Sequence, residues 1–192
     1  MNQLKTFLQS ITTISDEEFE NANTYFREVR LEKGESLLQE GSVCKQMAFV
    51  TKGVLRTFYL NHKAQEITHC FRTAGMFASA YRSFILQEPS FLSITALEYV
   101  ELILIDYDHL QKLYQTSLVW QRIGRILAER AYIEMEDYAT VLNNELAIEK
   151  YQRLLKEQPE VIQKSNVEHI ATYLGVTRRT LSRIRQEVSE CC

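Results

Sequence analysis

One segment of the chain carries side chains whose types and spacing suit a polyanion. Lys164–Gln186 holds Lys164, Arg178, Arg179, Arg183 and Arg185 against Glu168 alone, a net of +4. The rest runs the other way: 22 basic and 25 acidic residues among 192 leave −3 overall, and residues 1–163 carry −5. A basic segment on an otherwise acidic protein marks a local anionic partner, not general adhesion to charge. Within it, Val167–Ile184 reads V-E-H-I-A-T-Y-L-G-V-T-R-R-T-L-S-R-I. Ile170 and Leu174 give a first helix its apolar face, and Ala171 is small where a second helix must cross. Gly175 can take the positive φ of a tight turn, Val176 fills the space between the helices, and Thr177 is placed as an N-cap. Leu181 and Ile184 anchor the second helix from below, which is the pattern of a helix-turn-helix. Its outward set is then Thr177, Arg178, Arg179, Thr180, Ser182, Arg183 and Arg185. Hydroxyls and guanidiniums of this kind contact phosphates and guanine edges, so the expected partner is double-stranded DNA. A generic pair of helices would meet the apolar pattern too, but it gives no reason for a cationic outer face.

The elements before this segment divide by period. Ser15-Asp-Glu-Glu18 matches a capping box and predicts a helix from Asp16 to about Glu28, with Phe19, Ala22, Tyr25 and Phe26 on one face. From Val29 to about Tyr107 the period is two. Ser36–Leu38, Met47–Thr51, Val54–Leu60, Glu66–Phe71, Phe91–Ala96 and Val100–Ile105 read as short strands, punctuated by Gly34, Gly41, Gly53 and Gly75. Such spacing predicts a small antiparallel barrel or roll. Beyond it, Asp108–Tyr114 reads as a short helix and Ser117–Leu142 as a long one. Trp120, Ile123, Leu127, Ala131, Tyr138 and Leu142 follow helical steps, while Val119, Ile126 and Ile133 form a second row seven residues apart. That second row suits either one broad internal face or a seam to a second chain; Val119, Ile123, Ile126 and Ile133 are the candidate dimer contacts. Asn143-Asn144 is the expected hinge, and a further helix from Glu145 should end before Pro159.

The ordered combination of roll, long helix and helix-turn-helix resembles the Crp/Fnr transcriptional regulators over nearly the whole chain. Lys33-Gly-Glu35, Glu40-Gly41, Phe49-Val50 and Gly53-Val-Leu-Arg56 are similar to that family's double-stranded β-helix roll. Ile170-Ala171 together with Thr177–Ile184 is similar to its recognition motif. The resemblance implies an α+β protein with a jelly-roll-like sensor domain over 1–115, a dimerisation helix over 116–143 and a winged-helix-like DNA-binding domain over 144–192. It also implies a homodimer on a palindromic operator, with RNA polymerase as a further candidate partner. Arg178 and Arg183 match the arginines that read bases; Arg179 and Arg185 lie off that line and are expected to meet phosphates. Arg179 stands where many members carry glutamate, so their operator preference does not carry over. Cyclic-nucleotide members grip phosphate with Gly-Glu and then Arg followed by a small hydroxyl residue. Here the matching stretches read Gly75-Met76-Phe77 and Glu88-Pro89-Ser90, so cyclic AMP is not the expected effector. Any small-molecule pocket is expected near Phe71, Phe77, Arg82 and Phe84, facing the long helix.

Other chemistry finds little in the sequence. Cys44, Cys70, Cys191 and Cys192 form no Cys-x-x-Cys pair, and His62, His69, His109 and His169 are scattered, so no metal and no cofactor are expected. The alternative from another class is a roll that binds a metabolite or performs metal-dependent catalysis, its helical tail serving only assembly. That version needs clustered histidines, whereas His62 and His69 fall on opposite faces of a continuous strand. Neither a Gly-x-Ser-x-Gly motif nor a glycine-rich phosphate loop occurs. No run approaches the ~20 apolar residues of a membrane span and Met1–Ser15 lacks the marks of a secretory signal, so the expected setting is the cytoplasm.

Overall fold

The computed structural model describes residues 1–190, without the side chains of Tyr138 and residues 141–144; Cys191 and Cys192 lie outside the described residues. The chain opens with a helix that the sequence reading did not foresee, α1 (Asn2–Ile11), which buries Leu4 and Leu8. The capping box at Ser15 forms: the Ser15 hydroxyl accepts from the Glu18 N–H at 3.1 Å, and the Glu18 carboxylate accepts from the Ser15 N–H at 3.3 Å. The helix it starts, α2 (Asp16–Asn23), is shorter than expected. Phe26–Leu31 is instead a strand, β1, paired antiparallel with β8 (Val100–Asp106) from Phe26↔Ile105 to Leu31↔Val100. The backbone groups along one side of β8 need partners, and meeting that need overrides the helical reading of Tyr25–Glu28.

Between these strands lie β2 (Ser36–Leu38), β3 (Gln46–Lys52), β4 (Leu55–Leu60), β5 (Glu66–Arg72), β6 (Phe77–Ala78), a short helix α3 (Tyr81–Leu86) and β7 (Ser93–Ala96). They form two antiparallel four-stranded sheets, β1-β8-β3-β6 and β2-β7-β4-β5, which together make a jelly roll. Phe49, Leu55, Phe84, Ile94, Leu102 and Leu104 fill its core, all 2% exposed or less. The four corner glycines hold φ between 84° and 89°. Gly53 is the most constrained, because a Cβ there would stand 2.5 Å from the Tyr99 carbonyl oxygen and 2.9 Å from a Val100 methyl.

Helix α4 (Tyr107–Thr116) leads into the long helix α5 (Leu118–Asn144). Trp120 and Ile123 close the roll core, Trp120 lying 5.8 Å from the Phe26 ring. Ile123 is therefore an internal residue, 2% exposed, and not a free dimer contact as the sequence pattern suggested. Val119 and Ile126 stay half-buried and Ile133 is 55% exposed. Where α5 crosses α4 the approach is so close that a Cβ on Gly124 would stand 2.5 Å from the Tyr114 hydroxyl. The helix break comes after Asn144, at Glu145-Leu146, where the Leu146 N–H donates to Glu149 at 2.8 Å. Then follow α6 (Ala147–Glu157), which stops before Pro159 as expected, α7 (Pro159–Lys164), α8 (Val167–Leu174) and α9 (Arg178–Glu190). Among the described residues no strand follows α9.

Replacing Gly53 by Ala adds a left-handed backbone penalty of about 1–2 kcal/mol to an overlap with fixed backbone. The expected outcome is a loss of at least about 2 kcal/mol in urea denaturation.

Candidate nucleic-acid interface

Helices α8 and α9 are built as their residues require. Asn166 caps α8, its side-chain oxygen accepting from the His169 N–H at 2.8 Å. Gly175 ends that helix at φ 71°, and the Val176 N–H returns to the Ala171 carbonyl at 2.9 Å. Thr177 opens α9 by accepting from the Thr180 N–H at 3.2 Å. Ile170, Ala171, Leu174, Leu181 and Ile184 are buried beneath the pair. Their packing leaves Thr177, Arg178, Arg179, Thr180, Ser182 and Arg183 exposed along one side of α9. Ser182 turns its hydroxyl back onto the Arg178 carbonyl at 3.1 Å. Arg185 is half-buried, its guanidinium lying over the Tyr151 ring of α6 at 5.9 Å. Arg178 makes an ion pair with Glu168, the second residue of α8.

What holds this pair of helices in place lies in the roll. Val54 and Phe71 do not join the roll core; they share a second core with Tyr151, Leu154, Val161, Ile170, Leu174 and Leu181. Phe71 on β5 meets Tyr173 on α8 edge to face at 5.3 Å. Beside it, the Thr172 hydroxyl accepts from the Thr68 N–H at 3.2 Å and donates to the Thr68 hydroxyl at 3.0 Å. Behind Thr68 lies Arg56 on β4, 3% exposed. Its Nε donates to the Thr68 hydroxyl at 2.8 Å, its Nη1 pairs with Glu66, and its guanidinium stacks 4.4 Å from the Phe58 ring. Burial pulls the Arg56 guanidinium below its ordinary value, and Glu66 opposes that pull. His169 on α8 comes under the same influence: burial first, then the Arg56 charge, lower its pKa to about 4, with Glu66 and Glu168 opposing. A second tether joins β5 to the long helix, Arg72 to Glu134 at 2.5 Å, and a third joins Lys164 to Glu98 at 2.9 Å.

Arg56, Thr68, Thr172, His169 and the pairing role of Glu168 were not singled out from the sequence. The available signal was Arg56 itself. With Leu55 turned into the roll, alternation puts Arg56 on the opposite face of β4, and that this face is covered by α8 is not written in the local pattern.

The four residues expected to mark a small-molecule pocket do not converge. Phe71 belongs to the second core, and Phe77 packs against Phe7 and Phe49 at 5.5 and 5.1 Å. Phe84 is buried against Tyr107 at 5.3 Å, and Arg82 sits at the surface paired with Glu88 at 3.3 Å. Two surface cavities, of about 370 and 350 Å³, open elsewhere, the second beside Ser36, Gln39, Ser42, Lys45 and Ser79. Neither includes any of the four. Among the described residues there is no group of three or more His, Cys, Asp or Glu that could hold a metal ion. None of the described helices is long and apolar enough to cross a membrane.

Residues 28–117, which hold most of the jelly roll, match the model of the cyclic nucleotide-binding domain family. Solved structures extend the likeness of fold to the helices. The c-di-GMP-responsive global regulator CLP of Xanthomonas campestris superposes with a TM-score of 0.68 at 19% identity, over 92% of each chain. FixK2 of Bradyrhizobium japonicum gives 0.71 at 18% identity, over 86% of this chain and 85% of its own. The catabolite activator protein of Thermus thermophilus gives 0.60 at 19% identity, over 96% and 87%. No match is found among curated proteins.

Two outcomes follow from the contact between α8 and β5. Thr172→Val keeps the shape but removes the acceptor of the buried Thr68 N–H. It should cost about 1–3 kcal/mol in chemical denaturation, whereas Thr172→Ser restores the acceptor and most of the loss. The His169 effect has a definite sign. A depressed pKa means that the unfolded chain takes up the proton first, so stability is complete above about pH 6.5 and falls as pH drops toward about 4. Denaturation of the wild type and of His169→Gln across that window should show the variant losing less stability on acidification.

Proposed function

We propose that the protein is a homodimeric, sequence-specific DNA-binding transcription regulator of the Crp/Fnr type. The observation that carries this reading is the exposed face of α9, Thr177 to Arg183, held outward by a fully packed pair of helices on an acidic protein. A buried scaffold with hydroxyls and guanidiniums on the first two turns past a tight turn is what a major-groove reader needs. In this reading the sensor domain spans 1–115, the dimerisation helix 116–143 and the DNA-binding domain 144–192. Arg178 and Arg183 read bases and Arg179 meets phosphates. Arg185, half-buried over Tyr151, has less reach to the backbone than its position on α9 suggested.

The dimer forms along α5 through Val119, Ile126 and Ile133: Val119 packs partly against the roll, Ile126 is half-buried and Ile133 is exposed, with Tyr132 and Met135 exposed beside it. Two copies so joined would present two α9 helices to half-sites one helical turn apart on a palindromic operator, with RNA polymerase as a further candidate partner. The roll does not take cyclic AMP through a phosphate clamp. The region that would supply the clamp is closed on itself: the Ser83 hydroxyl donates to the Glu88 carbonyl at 2.5 Å and accepts from the Cys44 N–H at 2.9 Å, and Arg82 is neutralised by Glu88. The protein works in the cytoplasm and performs no catalysis.

The test is selection from a randomised duplex library, with sedimentation of the same samples. The wild type should sediment as a dimer, prefer a palindrome and keep that preference unchanged on adding cyclic AMP. Arg183→Ala should cost about 1–3 kcal/mol and relax one base pair per half-site. Arg179→Ala should weaken all sequences alike and lower the salt slope by about one. Ile133→Asp should dissociate the dimer. A wild-type monomer without sequence preference would overturn the reading.

A further inference from the structure

Resting on that reading, we infer that Glu168 is a positioning residue for base recognition: its carboxylate holds the Arg178 guanidinium by the Nε edge and aims the remaining N–H groups at the groove. Glu168 is the one acid in Lys164–Gln186, a stretch with five cations, and the structure sets it against a single one of them. Among the described residues Arg179 and Arg183 make no ion pair, and Arg185 stacks on Tyr151.

A carboxylate beside a DNA-binding face is repelled by phosphates, so on its own it works against affinity. Its use must come through the arginine it touches. The contact is made at Nε. That leaves the two terminal nitrogens of the planar fork free, and these are the groups that donate in parallel to guanine O6 and N7. A guanidinium pinned on one edge presents the other in a fixed direction; an unpinned one on an exposed helix turn samples many.

The anchor points of the pair are rigid. Glu168 lies in the first turn of α8 and Arg178 is the first residue of α9. The Val176-to-Ala171 hydrogen bond and the buried Ala171 and Leu181 fix the two helices to each other, and Thr172 fixes α8 to the roll. The carboxylate is therefore placed by backbone that does not depend on the pair itself. Both side chains are substantially exposed, 46% for Glu168 and 69% for Arg178. Exposed pairs contribute little to folding, so removing this one should leave the melting temperature in place.

The experiment uses the full-length protein, with library selection and thermal unfolding on the wild type, Glu168→Gln, Arg178→Ala and the double variant. Glu168→Gln should reduce discrimination about 3- to 10-fold at the same base pair per half-site that Arg178→Ala relaxes, a part of what a bidentate arginine–guanine contact supplies. Other positions and the melting temperature should be unchanged, and the double variant should show the preferences of Arg178→Ala alone. Glu168→Gln binding all sequences more tightly with its preferences intact would show a carboxylate that only repels phosphate, and would overturn the inference. So would a loss of preference spread over every position, or an Arg178→Ala variant that keeps the wild-type preferences; in both cases the DNA-binding reading survives. A wild type without sequence preference overturns both.

Discussion

The contact of α8 with β5 is the constraint on which the arrangement of this molecule depends. A hydroxyl-to-hydroxyl bond between Thr172 and Thr68, reinforced by the Thr68 amide, stands next to an aromatic pair, Phe71 and Tyr173. Around them Val54, in the turn before β4, and Phe71 on β5 are drawn into the core of the helical half. The roll and the pair of helices thus have no separate surfaces here; each completes the other's burial. Rotating α8 away from β5 would expose Phe71 and leave the Thr68 N–H without an acceptor, so the direction of α9 relative to the roll is set by packing as much as by the joint at Glu145-Leu146.

Behind that contact stands a charge that folding has taken out of water. Arg56 survives burial because it is surrounded on several sides: Thr68 at Nε, Glu66 at Nη1 and the Phe58 ring face beneath. Glu66 is itself half-exposed, so the compensation reaches the solvent and depends on a group that water can also satisfy. Such a pair is a weak source of stability and a strong source of geometry. It orients Thr68, and Thr68 orients Thr172. His169, placed near the same cation, stays neutral in the folded protein until the pH falls toward about 4 and so adds no opposing charge above that.

How much of this was legible in the sequence depended on how local the cause was. The turn at Gly175, the cap at Thr177 and the buried Leu181 and Ile184 follow from neighbours a few residues apart, and all are found where the spacing put them. The alternating strands were legible for the same reason. Phe26–Glu28 reads as the end of a helix and is a strand, because its partner, Val100–Asp106, lies some seventy residues away and the local pattern favours a continued helix. Ile123 was misassigned because a helical period gives the stripe but not which neighbour covers it. The expected pocket residues are separated for a different reason: Phe71 and Phe84 are both buried aromatics, but a strand sends successive residues to opposite faces, and Phe71 faces the helices rather than the interior of the roll. Arg56 showed in the sequence only as part of a strand motif, and its role needed the third dimension.

The missing side chain at Gly124 has an effect larger than its size. Because the Tyr114 ring occupies the space a methyl group would need, the glycine lets α5 lie close against α4 at this point. Val119, Ile126 and Ile133 ride on the same helix, so the compass bearing of that row is decided at this crossing. A small twist of α5 at this crossing would turn that row with it. In a two-fold assembly built on α5, any such twist would be applied in both copies with the same hand, and the spacing of the two distal ends would change by the combined amount.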